Sequence, residues 1–227
     1  MSGVDFLAVL SYGFRDFAAV RGAGKTPSRQ RIKNDNAIIR SMMRYTETAN
    51  ISDPRFLTLY NSAFPPEERI PPALLARTFG HGGRLRYYFD SDTFVGFSLT
   101  YDHDGVRFIT YIAVVPELRG EGYGSEILDS IASDGTPRGM FLTAETVEGK
   151  GEEMKQRNDR RRFYRRNGWK PTGFIIPGKV TMEVYQLDHE LAPPEIVRCR
   201  ESFYFALDGQ YRRIRASGPS AVRGRSP

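Results

Sequence analysis

The chain has 227 residues with 33 Lys+Arg against 27 Asp+Glu, a formal charge of +6, and is 40% hydrophobic and 26% charged. That composition excludes a collagen-like or wholly disordered chain, and the length favours one domain with extensions. No apolar run approaches the roughly 20 residues of a membrane-spanning helix, and the single cysteine, Cys199, excludes an internal disulfide framework and a multi-cysteine metal site.

The charge is uneven. Residues 1–44 hold eight basic and three acidic side chains, and residues 209–227 hold five arginines and no acid, which leaves the middle at −4. Residues 1–43 are expected to be a flexible basic extension. Met42 and Met43 stand just before the first patterned segment as an alternative natural start. The first 20 residues lack a basic leader and are broken at Ser11–Arg15, which disfavours a signal peptide. The tail 209–227, rich in Gly, Ser, Pro and Arg, is expected to be disordered. Between them lie a compact domain, 44–190, and an aromatic segment, 191–208, expected to pack on it.

Within the domain, Ser52–Asp53–Pro54 signals a helix start, with Phe56, Leu59 and Tyr60 at helical spacing and a stop at Pro65–Pro66. Pro71–Pro72 opens a second short helix that ends before Gly80 and Gly82. Arg84–Phe89 and Thr93–Tyr101 read as strands joined by a turn at 90–92, and Asp102–Gly105 as a hairpin turn. Val106–Val115, the most β-branched stretch, reads as a central strand halted by Pro116. A helix is expected over Gly122–Ser133, a strand over Met140–Ala144, and a highly charged helix over Glu152–Asn167. Met154, Phe163 and Tyr164 should be that helix's apolar anchors and Gly168 its stop. Two strands, Trp169–Ile176 and Val180–Leu187, complete an α-α-β-β-β-α-β-α-β-β order, an α+β (mixed α/β layered) domain.

The segment Ala113-Val-Val-Pro-Glu-Leu-Arg119-Gly120-Glu121-Gly122-Tyr123-Gly124-Ser125 joins the central strand to a helix. Glycines allow positive φ and close backbone approach, and the N–H groups and dipole of a helix start favour an anion. Arg119 adds a cation. The pattern lacks the Lys-Ser/Thr of a P-loop and is not the GxGxxG of dinucleotide folds. Read alone, it fits a phosphate cradle or a plain strand-to-helix connection.

Arg-x-x-Gly-x-Gly after Val-x-Pro resembles the acetyl-CoA loop of the GNAT superfamily of N-acetyltransferases. A second segment, Arg162-Phe-Tyr-Arg-Arg-Asn-Gly-Trp169, resembles that family's later helix-to-strand signature, and Leu59–Arg69 is similar to a subset of small bacterial members. The resemblance spans about residues 53–187. It implies a mostly antiparallel sheet of six to seven strands flanked by about four helices, with a splayed strand pair that holds the cofactor.

By that resemblance the expected activity is transfer of an acetyl group from acetyl-CoA to a primary amine of a small molecule or peptide, by direct attack in a ternary complex. Arg119, Gly120, Glu121, Gly122, Tyr123, Gly124 and Ser125 would hold the cofactor, together with the backbone of Ile112, Ala113 and Val114. Tyr164 is the implied general acid, its phenol near pKa 10 suited to a leaving thiolate. Glu145, ending the strand after the cofactor helix, is the candidate base. Phe64, Glu67 and Glu68 are expected at the acceptor. Where many members carry a cofactor-holding Asn, seven residues before the Tyr, this chain has Arg157, with Asn158 one step off.

His81, His103 and His189 show no ligand spacing, so no metal is expected. Cys199 reads as a buried or idle thiol. Two other readings stand beside the enzyme: a non-catalytic acyl-CoA-binding regulatory module, and a nucleic-acid-associated protein acting through its basic ends. The mild acidity of the middle disfavours the second. A cytoplasmic monomer or homodimer is expected, away from the membrane.

Overall fold

The computed structural model describes residues 43–135, 137–146, 151–177, 181–187 and 190–208. Residues 1–42 and 209–227, on which the readings of flexible ends fall, lie outside the described residues.

Seven strands form one sheet: β1 (Arg44–Thr48), β2 (Gly83–Asp90), β3 (Thr93–His103), β4 (Val106–Val114), β5 (Gly139–Glu145), β6 (Lys170–Ile176) and β7 (Met182–Leu187), in the order β1-β2-β3-β4-β5-β7-β6. Every neighbouring pair is antiparallel except β4 with β5. Among the described residues five helices flank it: α1 (Pro54–Ala63), α2 (Pro72–Leu75), α3 (Tyr123–Ser133), α4 (Glu152–Arg166) and α5 (Pro193–Asp208).

Helix α1 forms as its sequence dictates. Asp53 is the N-cap, its Oδ1 accepting from Arg55 N at 2.8 Å, and Pro54 follows where no N–H is needed. The buried side chains Phe56, Leu59, Tyr60 and Ala63 fall on one face. The hairpin between β3 and β4 turns on Asp104 and Gly105, at φ 49° and 73°. Two successive positive φ values match the twist of the strands they join.

The central strands of the sheet are buried on both faces. On one, α1 and α5 cover Phe97, Leu99, Phe108 and Phe141. On the other, Ile127, Leu128 and Ile131 of α3 and Phe163 of α4 cover Ile109, Ile112 and Leu142. Strand β4 is buried along its whole length, as its apolar run implies.

Three elements differ from the sequence reading. Strand β1 is added at the sheet edge. Its pattern RYTET has almost every side chain exposed, so no apolar alternation marks it. The aromatic segment 191–208 takes helical form as α5, with Ile196, Cys199, Phe203 and Leu207 as its buried stripe. Met154 is 37% exposed, so it does not anchor α4.

Helix α5 is tied to the β3–β4 hairpin by polar contacts as well. Tyr101 Oη and Ser202 Oγ lie 2.9 Å apart, and Ser202 Oγ lies 3.0 Å from His103 Nδ1. Cys199 is 1% exposed and its thiol donates to Val106 O at 3.7 Å. Burial pushes this thiol up to about 12. A maleimide at neutral pH is therefore expected to leave Cys199 unmodified in the native chain and to label it only as the chain unfolds, because the thiolate is the reactive form. Rapid stoichiometric labelling of the native protein, read by mass, would contradict this.

Candidate active site

The site is built where β4 ends. Strands β4 and β5 pair only from Val106 with Gly139 to Ile109 with Leu142. The next residue, Thr110, is an extra residue in the β3–β4 ladder: Leu99 pairs with Tyr111 and Thr100 with Ile109. Thr110 Oγ1 donates to Leu99 O at 2.8 Å, which seats the bulge. A bulge bends its strand and increases local twist. Beyond it, Tyr111–Val114 pair with β3 alone among the described strands. The side chains of Ile112, Ala113 and Val114 are buried, so what these residues can offer a ligand at the gap is backbone.

The chain then passes one 3-10 turn, Pro116–Leu118, into the glycine loop. Gly120 and Gly122 have φ of 85° and 93°, values that L side chains rarely adopt. Gly122 is the N-cap of α3 and no side chain caps that end. The first N–H groups of a helix have no intrahelical acceptor, and together with the dipole they suit a phosphate. Glu121 is exposed and Ser125 half-buried, while Gly124 is buried in the first turn. Arg119 Nε donates to Val114 O at 3.2 Å, so its guanidinium is held over the end of β4. Tyr123 Oη donates to Asp90 Oδ2 at 2.7 Å, tying the loop to the β2–β3 hairpin. These residues fit a pyrophosphate-bearing ligand: an uncapped helix start, two positive-φ glycines and one fixed cation.

Tyr164 lies in the same buried cluster as Ile112 and Val114. Its ring centroid is 5.7 Å from that of Tyr185. Burial pushes its phenol up and the charge of Arg160 pulls it back, leaving it above the ordinary tyrosine value. The proton is thus held firmly at neutral pH. Arg160, one helical turn earlier, is itself 2% exposed.

Glu145 closes β5 and is 2% exposed. Its Oε2 accepts from Arg157 Nε at 2.5 Å. Its Oε1 is buried and has no hydrogen-bond partner among the described residues. Arg161, on the same side of α4, donates to Tyr185 Oη at 3.0 Å and lies 3.4 Å from Glu183.

The connection between α1 and α2 is pinned onto β4 through Tyr111, a residue that sequence reasoning passed over. Tyr111 Oη donates to Glu68 O at 3.0 Å and accepts from Ile70 N at 3.4 Å. Burial drives this phenol well above its ordinary value, so it stays a donor. Phe64 stacks edge-on against Tyr111, centroids 4.8 Å apart, and is part of the core. The Glu68 side chain is buried. The side chain of Glu67 is outside what the structure describes. Only the Tyr ring's apolarity in a β-run hinted at Tyr111; nothing in its local sequence signals the long-range bond.

A cleft of about 640 Å³ lies between β6, β7 and the start of α5, lined by Lys170, Phe174, Gln186 and Leu191 among others; none of the glycine-loop residues borders it. Among the described residues no cluster of His, Cys, Asp and Glu could hold a metal ion, and no helix is long and apolar enough to cross a membrane.

Residues 83–171 match the acetyltransferase (GNAT) domain family. No curated protein matches the chain. Among solved structures, a protein of Bacteroides thetaiotaomicron assigned to the GNAT family of acetyltransferases aligns at 21% identity over 71% of this chain and 95% of its own, with a TM-score of 0.56. A GNAT-family protein of Desulfovibrio desulfuricans aligns at 18% identity over 64% of this chain and 98% of its own, TM-score 0.49. A GNAT acetyltransferase of Elizabethkingia anophelis, solved with acetyl-CoA bound, aligns at 14% identity over 65% and 99%, TM-score 0.47. At such identities the first likeness establishes a common fold and no more. The segment that matches the acetyltransferase (GNAT) domain family spans the bulged strand, the glycine loop and the Tyr-bearing helix.

Proposed function

We propose that the chain moves an acetyl group from acetyl-CoA to a primary amine of a small molecule or peptide, by direct attack in a ternary complex. The observation that carries this reading is the gap beyond Thr110. There a strand left without its β5 neighbour leads through one turn and the glycine loop to an uncapped helix start, with a buried tyrosine in the same cluster. An extended acyl carrier with a pyrophosphate at one end matches that sequence of groups.

In this reading Arg119 to Ser125 bind the pyrophosphate, and the backbone of Ile112, Ala113 and Val114 aligns the carrier arm. A backbone N–H near Val114 faces the thioester oxygen where negative charge develops. Glu145 accepts the proton of the attacking amine nitrogen as the N–C bond forms. Tyr164 gives its proton to the departing sulfur as the C–S bond breaks. The buried surroundings of Tyr164 keep its proton in place until that step. The 64–69 segment, held by Tyr111, lies on the other side of β4 from the Tyr164 cluster and borders the acceptor.

The test is turnover of acetyl-CoA with a panel of primary amines, read as free-thiol release. Tyr164→Phe is expected to lower kcat about 100-fold, a typical contribution of a general acid, with the acetyl-CoA Kd within about threefold of the parent. Unchanged kcat would remove Tyr164 from the role. Tight acetyl-CoA binding with no thiol release for any amine would favour a regulatory binding module instead.

A further inference from the structure

Helix α4 buries charge where most helices bury an apolar stripe. Arg157, Arg160, Arg161 and Tyr164 stand at positions i, i+3, i+4 and i+7, which share a helix face. Arg157 pairs with the carboxylate of Glu145, and Arg161 with that of Glu183. The two pairs differ in their surroundings. Glu183 Oε2 also accepts from Tyr185 Oη at 3.1 Å, so that oxygen meets two donors, and its side chain is 12% exposed. Glu145 is deeper, its side chain 2% exposed against 14% for Arg157, and only one of its oxygens is engaged.

An ionised carboxylate offers about four acceptor sites on two oxygens. Leaving one oxygen buried and unbonded is costly, and native structures rarely do it without a reason. Oε1 of Glu145 is such an atom among the described residues. Along β5 the side chains alternate: Met140, Leu142 and Ala144 join the cluster that holds Tyr164, so Glu145 belongs with Phe141 on the opposite face. Arg157 belongs to the helix that carries Tyr164 and reaches Glu145 from there. A planar guanidinium bound at Oε2 fixes the direction of the carboxylate, and therefore of Oε1.

We propose that Arg157 is a positioning residue: it clamps Oε2 of Glu145 so that Oε1 receives the N–H of the acceptor amine, and the two side chains work as one unit. This rests on the acyltransferase reading with Glu145 as base. It assigns Arg157 to the acceptor half of the reaction and not to the hold on acetyl-CoA.

The experiment is steady-state kinetics of the full chain with acetyl-CoA and the most active amine of the panel, for Glu145→Gln, Arg157→Met, Arg157→Lys and the Gln/Met double variant. Glu145→Gln is expected to lower kcat about 100-fold and Arg157→Met at least about tenfold, with KM for acetyl-CoA within about threefold throughout. The double variant is expected to be no slower than Glu145→Gln alone, because groups that act as a unit are not additive. Arg157→Lys, which keeps the charge, should recover part of the loss. If Arg157→Met does not fold, Arg157→Lys carries the test: its kcat must lie below the parent's at unchanged KM for acetyl-CoA.

A slow Glu145→Gln beside an Arg157→Met or Arg157→Lys that matches the parent within about twofold overturns the positioning role and leaves the base in place. A rise in KM for acetyl-CoA at constant kcat makes Arg157 a cofactor-binding residue and also overturns it. Full activity of Glu145→Gln removes the base from the proposed function and the clamp with it. Absence of turnover by the parent chain overturns the acyltransferase reading itself.

Discussion

Arg107→Met is expected to destabilise the chain by about 3 kcal/mol, the low end of the cost of removing one partner from a buried ion pair, because Asp102 is only half-buried. Arg107 is 3% exposed and grips Asp102 with two parallel bonds, Nε to Oδ1 and Nη2 to Oδ2, both 2.8 Å. Its remaining arm closes α3: Nη1 donates to Ile131 O at 3.0 Å and Asp134 O at 2.7 Å. A cation at a helix C-terminus satisfies carbonyls that have no intrahelical donor and matches the dipole. Met fills similar volume but leaves Asp102 and both carbonyls without that donor. Urea melts that moved by less than about 1 kcal/mol would show that the pair is dispensable.

The same cluster has a pH signature. Burial pushes the Asp134 carboxyl up, but the hydrogen bond and charge of Arg86, with the charges of Arg107 and Arg84, outweigh it and hold the group below its ordinary value. A carboxyl depressed in the folded state contributes stability that is full above the unfolded Asp value, about 3.9, and is lost as pH falls through the folded one. Arg107→Met removes one of the depressing charges. The stability gap between parent and variant is therefore expected to narrow as pH drops from about 5 to about 3. A gap that widens on acidification would contradict the assignment.

Gly96→Ala is expected to lower stability by about 3 kcal/mol, at the upper end of ordinary overpacking costs, and to weaken acetyl-CoA binding at least about tenfold. Gly96 of β3 pairs with Val114, and a Cβ built there would sit 2.2 Å from the Ala113 carbonyl oxygen. That neighbour is backbone, so relief requires moving the last residues of β4. Those are the residues whose backbone would line the carrier arm. The site sits beside a second irregularity, since β3 has an extra residue, Val95, between its pairings to Tyr88 and Phe89. Calorimetric titration with acetyl-CoA decides it: a stable Gly96→Ala with parent-like Kd would mean that β4 can yield without disturbing the cofactor strand.

Much of the fold was legible because it is encoded locally. Asp53–Pro54 and Pro65–Pro66 bracket α1, Asp104–Gly105 makes the hairpin, and the positions of Gly120 and Gly122 carry their positive φ in their residue type. Helix α5 was not legible as a helix, although Ile196, Cys199, Phe203 and Leu207 recur at helical spacing after a Pro-Pro-Glu start, because its aromatic content masked the period. Nor was strand β1: a five-residue polar edge strand buries too little to leave a pattern.

The site divides along the same line. From the sequence alone came the glycine loop at a helix start, the tyrosine on a late helix and the family they resemble, because glycine φ, helix termini and spacing are properties of neighbouring residues. Only the tertiary structure decided where β4 parts from β5. Thr110 is neither Gly nor Pro, and its bulge exists only relative to the register of β3. The tertiary structure likewise decided that Arg157 meets Glu145 twelve residues away, that Tyr111 reaches Glu68 across 43, and that Phe64 belongs to the core. Strand register and packing are set by the whole buried sheet at once, so no single stretch of sequence records them.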